Sequence, residues 1–255
     1  MKKSLKLCSI ILLTILYSLA HISYYPKAFS ELNLKENSAN NNTLPHHFRM
    51  ISAETNLAKN QDINLKGLDK LNISGSGQFS ESGLSLIKNS IPNKFSIIDV
   101  DLRQESHGFI DDSPISYYSF FQLINSNLNS QNTLKAEKED LSKISIGANI
   151  PIFKTTGEYL ESLKANVVSN EEKTCENFGL GYKRIAVRDN SIPTPEAVDD
   201  FINFVNNTTD DIHILFHCDA GDGRTTMFMS MFQMMKNPSN ESLSTILNDQ
   251  ITIGG

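Results

Sequence analysis

The feature that most constrains the fold is an apolar run, followed by a glycine-containing loop and a longer apolar segment. The run 212–216 is continuous, which predicts a buried strand. The loop 217–226 reads His-Cys-Asp-Ala-Gly-Asp-Gly-Arg-Thr-Thr, and segment 227–235 is rich in methionine and phenylalanine on nearly every face of a helix. A strand, a tight loop and a core helix in this order predict an α/β fold with a central sheet flanked by helices.

Other segments fit the same fold. Residues 95–100 and 182–187 are short apolar runs that predict strands, and the first leads directly into the polar cluster 101–108. Thr194 and Pro195 are typical of a helix N-cap and first helical position. Apolar residues at helical spacing follow as far as residue 205, so we expect this helix to pack one face on the core.

Two segments predict departures from a single compact domain over 46–255. Residues 31–45 are rich in Asn and Ser, which predicts a flexible lead-in. Residues 133–181 contain a charged patch and then apolar residues at alternate positions from 144 to 152, which are isoleucines except for Ala148. This pattern, with Pro151 inside it, predicts an edge strand in a small β-rich insert.

The N-terminus predicts export. Lysines precede a short apolar run at 8–20, and small residues suited to cleavage follow, so residues 1–30 are interpreted as a signal peptide. A retained membrane anchor is the alternative. Residues 1–30 hold four lysines and no acid, so cleavage changes the net charge from −6 to −10. We therefore expect a secreted or periplasmic protein without nucleic-acid partners or stable membrane association; the oligomeric state stays open.

The loop 217–226 predicts nucleophilic chemistry on a phosphate. Glycines let successive backbone N–H groups turn toward one point, and the following helix adds its positive N-terminus. The predicted phosphate cradle is the backbone of Asp219, Ala220, Gly221, Asp222 and Gly223, with the fork of Arg224 on two phosphoryl oxygens. Cys218 is the predicted nucleophile, since this surrounding favours a thiolate. A buried strand-end cysteine beside a solvated arginine is the alternative.

Three further residues are predicted to assist Cys218. His217 is expected to fix the loop by hydrogen-bonding to backbone groups. Thr225 is expected to donate a hydrogen bond from its hydroxyl to the sulfur. Ester cleavage also needs a proton for the leaving oxygen, and Asp189, in a loop before the capped helix, is the best candidate for the general acid. A solvated turn residue is the alternative for Asp189. An exported chain with Cys175 and Cys218 could also form a disulfide, but a nucleophilic role for Cys218 argues against it.

These motifs resemble the protein tyrosine phosphatase superfamily, whose signature is His-Cys, five residues, Arg and then Ser or Thr. More narrowly, they resemble the bacterial cysteine phytases, which are phosphatase-like inositol hexakisphosphate hydrolases. The loop 217–226 matches the phytase pattern His-Cys-Glu-Ala-Gly-x-Gly-Arg-Thr-Thr. The blocks 101–108 and 71–78 are similar to two further phytase motifs, and the likeness covers 46–255.

The resemblance implies roles for particular residues. Cys218 would be the nucleophile, Arg224 the phosphate clamp and Asp189 the general acid, while Arg49 would meet a substrate phosphate. It also implies a small partial barrel beside the phosphatase domain, matching the insert at 133–181, and a mechanism without metal or cofactor. The chain departs from the family at three positions: Asn190 and Ile192 stand where the family usually carries His and Trp, and Asp222 where the residue is more often uncharged.

The resemblance also implies further chain beyond residue 255, so the domain is predicted to be C-terminally incomplete. We expect a helix at 240–247 and exposed apolar surface near Met231 and Phe232. The leading functional hypothesis is an exported phosphomonoesterase acting on inositol polyphosphates, which are small phosphorylated molecules, through a phosphocysteine intermediate. The alternatives are a tyrosine or dual-specificity protein phosphatase and a phosphate-binding pseudoenzyme or inactive truncated product.

Overall fold

The computed structural model describes residues 31–34, 43–51, 67–119 and 122–254. The predicted signal peptide, 1–30, lies outside the described residues. The elements in chain order are β1 Glu31–Leu34, β2 Arg49–Ile51, a 3-10 turn Leu68–Lys70, β3 Ile73–Ser76, α1 Glu81–Ser90, β4 Ser96–Arg103, β5 His107–Ile110, β6 Ser113–Tyr118, α2 Ser130–Leu141, β7 Asn149–Phe153, β8 Tyr159–Lys164, β9 Val168–Ser169, α3 Glu171–Asn177, β10 Gly181–Val187, α4 Pro195–Asn206, β11 Ile212–His217, α5 Gly223–Lys236 and α6 Leu243–Gly254.

A five-stranded sheet in the order β10-β4-β11-β3-β2 forms the centre of the fold. Its first four strands are parallel, and β2 pairs antiparallel with β3 at the edge. One apolar cluster includes Phe201 of α4 and Phe228 of α5, and another includes Leu84 of α1 and Cys175 of α3. Helices therefore cover both faces of the sheet, as parallel strands require, and the predicted α/β fold is confirmed.

Local sequence signals explain where the elements near the candidate site begin. The predicted strands at 95–100, 182–187 and 212–216 are β4, β10 and β11. Helix α4 starts where its cap predicts, since the Thr194 hydroxyl accepts a hydrogen bond from the Ala197 N–H over 3.2 Å. These three parallel strands end at the same sheet edge, which brings the loops that follow them together.

A second, smaller β layer accompanies the central sheet. It contains a sheet in the order β1-β6-β5-β9 and the hairpin β7-β8. Because β1 pairs antiparallel with β6, residues 31–34 form a strand, and the prediction of a flexible lead-in is wrong for them. Residues 35–42 lie outside the described residues.

The insert predicted at 133–181 has different limits in the structure. Its N-terminal residues belong to α2, and its sheet uses β1, β5 and β6 from earlier in the chain. The alternating isoleucines do not form one strand, since β7 begins at residue 149 and Ile146 is 65% exposed. The edge strand itself is present: Pro151 lies in β7, which within the described residues pairs with β8 alone.

The C-terminal segment also differs from the prediction. The helix expected at 240–247 is α6, which runs from residue 243 to residue 254. Phe232 is 3% exposed and its ring lies 6.0 Å from that of Phe216, so the apolar surface predicted there is absent at this residue. Met234 and Met235, one turn later in α5, are the exposed pair. None of the helices in the described ranges has the length and hydropathy needed to cross a bilayer.

Candidate active site

The candidate site lies at the carboxyl end of β11, where the chain turns into α5. Cys218 is 2% exposed, and the backbone N–H of Gly221 donates to its Sγ over 3.3 Å. Because α5 begins at Gly223, the partial positive charge of its N-terminus lies at the same loop. The strand–loop–helix unit that the sequence predicts around Cys218 is therefore present.

Gly221 of the loop is required by the close approach of the segment that follows β3. Gly221 has φ of +83°, and a Cβ on it would lie 2.2 Å from the backbone nitrogen of Gly77. Conversely, a Cβ on Gly77 would lie 2.8 Å from the carbonyl oxygen of Ala220. The N–H of Gln78 donates to the carbonyl of Asp219 over 2.9 Å. The end of the block 71–78 thus packs directly against the loop 217–226.

Arg224 is held by acceptors from two other strand ends. Its Nη1 donates to Glu105 Oε2 and to the Val187 carbonyl, both over 3.0 Å, and its Nη2 donates to Glu105 Oε1 over 3.3 Å. Burial opposes the charged guanidinium, but Glu105 and Cys218 outweigh it and raise the pKa of Arg224. The predicted clamp is therefore a fixed cation at the loop.

Asp189 lies beside this cation. It follows β10, and its Oδ1 is 3.1 Å from Arg224 Nη2, with 31% of the side chain exposed. The next residue, Asn190, has φ of +53° and donates to Asp189 Oδ2 over 3.2 Å. Ile192 in the same loop is 85% exposed. The structure thus brings the predicted acid and the predicted clamp together.

His217 acts on the loop differently from the prediction. Its imidazole Nε2 lies 2.5 Å from Glu171 Oε1, with both side chains fully buried, so it contacts a carboxylate of α3 instead of fixing the backbone of the loop. Burial opposes the imidazolium, but Glu171 and Asp99 outweigh it and raise the pKa of His217 well above its ordinary 6.5. Residue 217 is therefore a buried cation directly before the nucleophile.

Three other predicted residues have roles at the edge of the loop. The Thr225 hydroxyl donates to the Ser76 carbonyl over 3.4 Å, whereas the prediction directed it to the sulfur. The Asp219 carboxylate lies 3.7 Å from the guanidinium of Arg103. Asp222 occupies the N-cap position of α5 without a side-chain cap bond.

Arg49, predicted to meet a substrate phosphate, is directed to the loop backbone instead. Its Nη1 donates to the Gly221 carbonyl over 2.7 Å and to the His47 carbonyl over 3.0 Å. Its Nη2 donates to the Thr226 hydroxyl over 3.0 Å, and the residue is 4% exposed. The guanidinium is thus enclosed by protein acceptors.

A buried ion-pair network beneath the loop was missed by the sequence analysis. It contains five carboxylates and five cations: Asp99, Asp101, Glu105, Glu137, Glu171, Arg103, Arg184, Arg224, His107 and His217. Burial and Arg103 oppose the imidazolium of His107, but Asp101 and Glu137 outweigh them and raise the pKa of His107 to about 9. Burial raises the pKa of Asp99 to about 7. The signal in the sequence was the concentration of charged residues within 99–107, at the end of a predicted buried strand.

One path through this network joins His217 to Arg224. Gln78 Nε2 donates to Glu171 Oε2 over 2.7 Å, and Arg103 Nη1 donates to Gln78 Oε1 over 2.5 Å. Arg103 Nε then donates over 2.7 Å to Glu105, the carboxylate that holds Arg224. His217, the neighbour of the predicted nucleophile, and Arg224, the predicted phosphate clamp, are therefore positioned by one continuous set of buried contacts.

Two groups within the network have the composition of a metal site. They are Asp99, Glu171 and His217, and Asp101, His107 and Glu171, each with ligand atoms within 4.8 Å of one another. Protein cations already balance these carboxylates, since Arg184 lies 2.7 Å from Asp101 and both imidazoles are held cationic. We therefore interpret them as an ion-pair network. Cys175 and Cys218 are both free thiols.

Solved structures share this fold, a cysteine-phosphatase α/β sheet with the nucleophile loop between strand and helix. The tandemly repeated protein tyrosine phosphatase-like phytase of Mitsuokella multacida aligns with a TM-score of 0.77 and 32% identity, over 90% of this chain and 40% of its own. The PTP-like myo-inositol phosphatase of the same organism was solved in complex with myo-inositol-(1,3,4,5)-tetrakisphosphate. It aligns with a TM-score of 0.78 and 31% identity, over 91% of this chain and 41% of its own. A PTP-like phytase from Bdellovibrio bacteriovorus aligns with a TM-score of 0.70 and 28% identity, over 88% of this chain and 75% of its own.

The PTP-like phytase family model, described as "Inositol hexakisphosphate", matches residues 100–236. The match covers more than half of the chain, so this chain belongs to the PTP-like phytase family, as the motifs indicated. Effector protein hopD2 of Pseudomonas syringae pv. tomato is 28% identical over 156 residues, which are 58% of this chain and 33% of that protein. The chain thus spans about a third of this curated relative and two fifths of the Mitsuokella proteins.

Proposed function

We propose that this chain is an exported phosphomonoesterase that removes phosphate from inositol polyphosphates through a phosphocysteine intermediate. The observation that carries the proposal is the loop after β11, where the Gly221 N–H is directed to the sulfur of buried Cys218 and Glu105 holds Arg224 beside it. Membership of the PTP-like phytase family supports the substrate class, as does the inositol tetrakisphosphate bound to one relative.

In the first chemical step the Cys218 thiolate attacks the phosphorus of the bound ester. The S–P bond forms, the P–O bond to the inositol breaks, and the carboxylic acid of Asp189 gives its proton to the leaving oxygen. Arg224 and the inward N–H groups stabilise the charge on the three phosphoryl oxygens. Because Asp189 shares Arg224 Nη2 with the incoming phosphate, binding would release Asp189 toward the leaving oxygen.

In the second step water attacks the phosphorus of the phosphocysteine. The Asp189 carboxylate takes a proton from this water, the S–P bond breaks, and inorganic phosphate leaves with the thiolate restored. Asp189 thus returns to its acid form for the next turnover. Its partial exposure suits a group that must exchange between Arg224, the leaving oxygen and water.

Phosphate release from inositol hexakisphosphate and from a phosphotyrosine peptide tests the substrate class. We expect the inositol phosphate to give the higher kcat/KM, and a preference for the peptide would contradict the proposal. Acid quenching during turnover of phosphorus-32-labelled inositol hexakisphosphate should leave label on the protein. Export rests on the sequence of residues 1–30, and recovery of the full-length, unprocessed chain in the host cytoplasm would contradict it.

Cys218→Ser is the matched test of the mechanism. The hydroxyl is a poor nucleophile at this position, so turnover should fall by more than about a thousandfold while inorganic phosphate still binds and the melting temperature is unchanged. If Cys218→Ser kept more than a few per cent of the activity, or still carried phosphorus-32 label after acid quenching, the proposed phosphocysteine step would be wrong.

A further inference from the structure

The side chain of Arg49 is a buried cation that the mechanism leaves without a role. It projects from the edge strand β2 and is 4% exposed, although an arginine at a sheet edge is usually solvated. Its guanidinium donates hydrogen bonds to the carbonyls of His47 and Gly221 and to the hydroxyl of Thr226. Two of these acceptors belong to the turn and the first helical turn that follow the nucleophile.

Close backbone contacts enclose this guanidinium from two sides. A Cβ on Gly75 of β3 would lie 3.1 Å from its central carbon, and a Cβ on Gly254 at the end of α6 would lie 3.2 Å from it. Both glycines therefore allow the backbone to approach the planar group closely. A substrate phosphate could reach Arg49 only if one of these segments moved.

The residue that Arg49 holds also contacts the nucleophile. The N–H of Gly221 donates to the Cys218 sulfur over 3.3 Å, and the Gly221 carbonyl accepts from Arg49 over 2.7 Å. Gly221 has a positive φ, a backbone conformation that residues with side chains rarely adopt. A second bond from the same guanidinium to Thr226 fixes the turn against the start of α5.

Electrostatics point to the same role. Burial lowers the pKa of Arg49 to about 10, and negative charge on Cys218 or Asp222 would oppose this effect. The guanidinium therefore stays cationic at neutral pH, and the single residue Gly221 bridges it to the sulfur. In a buried site such a fixed charge acts with little screening by solvent.

We propose that Arg49 is a positioning residue for the reaction: it holds the turn at Gly221 so that its N–H faces the sulfur, and it provides a fixed positive charge behind the nucleophile without touching substrate. The inference rests on the nucleophilic role of Cys218 but is independent of which phosphate ester the enzyme takes. It also explains why the arginine is bonded through both Nη groups, since one ammonium of lysine cannot span two acceptors in a fixed plane.

The test compares Arg49→Met and Arg49→Lys with the wild type, using Lys88→Met as the control that removes an exposed cation. Alkylation of Cys218 by iodoacetamide in the absence of substrate reports the thiolate directly. In Arg49→Met we expect the alkylation rate at pH 6 to fall about tenfold and its pH midpoint to rise. In Arg49→Lys the charge remains, so the midpoint should stay closer to the wild type.

Turnover separates positioning from substrate contact. For Arg49→Met we expect kcat/KM to fall by the same factor, about 100-fold, on nitrophenyl phosphate and on inositol hexakisphosphate. A loss confined to a raised KM for inositol hexakisphosphate, with unchanged alkylation, would show that Arg49 contacts substrate and would overturn the proposal. Unchanged kinetics on both esters would overturn it as well. Failure on inositol hexakisphosphate in the wild type would count against the proposed substrate only.

Thr226→Val keeps the test valid if Arg49→Met does not fold. It removes the acceptor of Nη2 but leaves the cation and its bond to Gly221 in place. We expect kcat/KM to fall several-fold and equally on both esters, with the pH midpoint of alkylation unchanged. If kcat/KM on both esters and the pH midpoint of alkylation all matched the wild type, the proposal would be contradicted.

Discussion

Two carboxylates lie against Arg224, and they differ in how firmly they are held. Glu105 contacts both Nη atoms and also accepts from Arg103, while Asp189 contacts one Nη atom and is 31% exposed. Glu105 therefore fixes the direction of the guanidinium. Asp189 is the contact that a phosphate dianion can displace, because a partly exposed ion pair is worth little in free energy.

Asp189→Asn tests the proton donor at this position. The amide keeps the shape and can still contact neighbouring groups, but it cannot protonate an alkoxide. We expect kcat on inositol hexakisphosphate to fall by about 100-fold, and the loss on nitrophenyl phosphate to be much smaller because nitrophenolate leaves without a proton. Steady-state kinetics on the two esters measures the difference.

Asp199→Asn, at an exposed position on α4, is the control and should leave both rates unchanged. Equal losses on the two esters in Asp189→Asn would mean that the carboxylate serves the structure of the loop instead of the proton transfer.

At the scale of the elements, strand β4 separates apolar from charged residues by simple alternation. Val100 and Leu102 pack in the apolar cluster that contains Cys218, whereas Asp99, Asp101 and Arg103 lie on the other face. Strand β11 repeats the pattern, with His217 on the charged face. The central-sheet members of the charged network therefore lie on one sheet face, and His107 of β5, Glu137 of α2 and Glu171 of α3 reach them from the elements that cover this face.

The two buried histidines of the network make stability depend on pH. The pKa of His107 is about 9 when folded and near 6.5 when unfolded, and the pKa of His217 is shifted in the same direction. The stabilisation from His107 is complete below pH 6.5 and is lost as the pH rises toward 9, because the folded state then binds more protons than the unfolded state. We expect the free energy of unfolding in urea to fall between pH 7 and 9, with His107 contributing roughly 1 kcal/mol per pH unit.

His107→Gln should make this slope shallower, while the exposed His46→Gln should leave it unchanged. A free energy of unfolding that is constant or rises between pH 7 and 9 in the wild type would show that the two imidazoles are not held cationic.

At the scale of the whole molecule, an ion pair ties helix α2 to the central sheet. Glu137 of α2 and Arg184 of β10 are fully buried and lie 2.7 Å apart. Residues 31–255 form one compact unit, so this pair lies inside a single body instead of at a domain boundary. Removing one partner leaves a buried charge uncompensated, which costs more than the pair itself contributes.

A double-mutant cycle tests this coupling. We expect Glu137→Gln and Arg184→Met each to lower the free energy of unfolding by about 3 kcal/mol, and the double variant to lose clearly less than the sum. Urea denaturation followed by circular dichroism gives all four values. Glu139→Gln, on the exposed side of α2, should change stability by less than about 0.5 kcal/mol. Additive losses would mean that the two residues stabilise the fold separately.

The sequence by itself determined what depends on neighbouring residues. Several features are encoded within a few positions of the sequence and could therefore be recognised from periodicity and cap chemistry. They are the strand β11, the glycine turn at 221, the Cys218–Arg224 spacing and the Thr194 cap. Asp189 was predicted from its loop before the capped helix and from the resemblance to the family's acid loop. The α/β fold followed from the same local patterns.

Only the tertiary structure decided which distant side chains complete the site. Arg49 reaches Gly221 from 172 positions away, and Glu171 of α3 meets His217 at the end of β11. The strand at 31–34 likewise exists because β6 offers it an open edge. A buried charge is stable only where a partner of opposite charge is placed by the folded chain, and no local pattern specifies that partner.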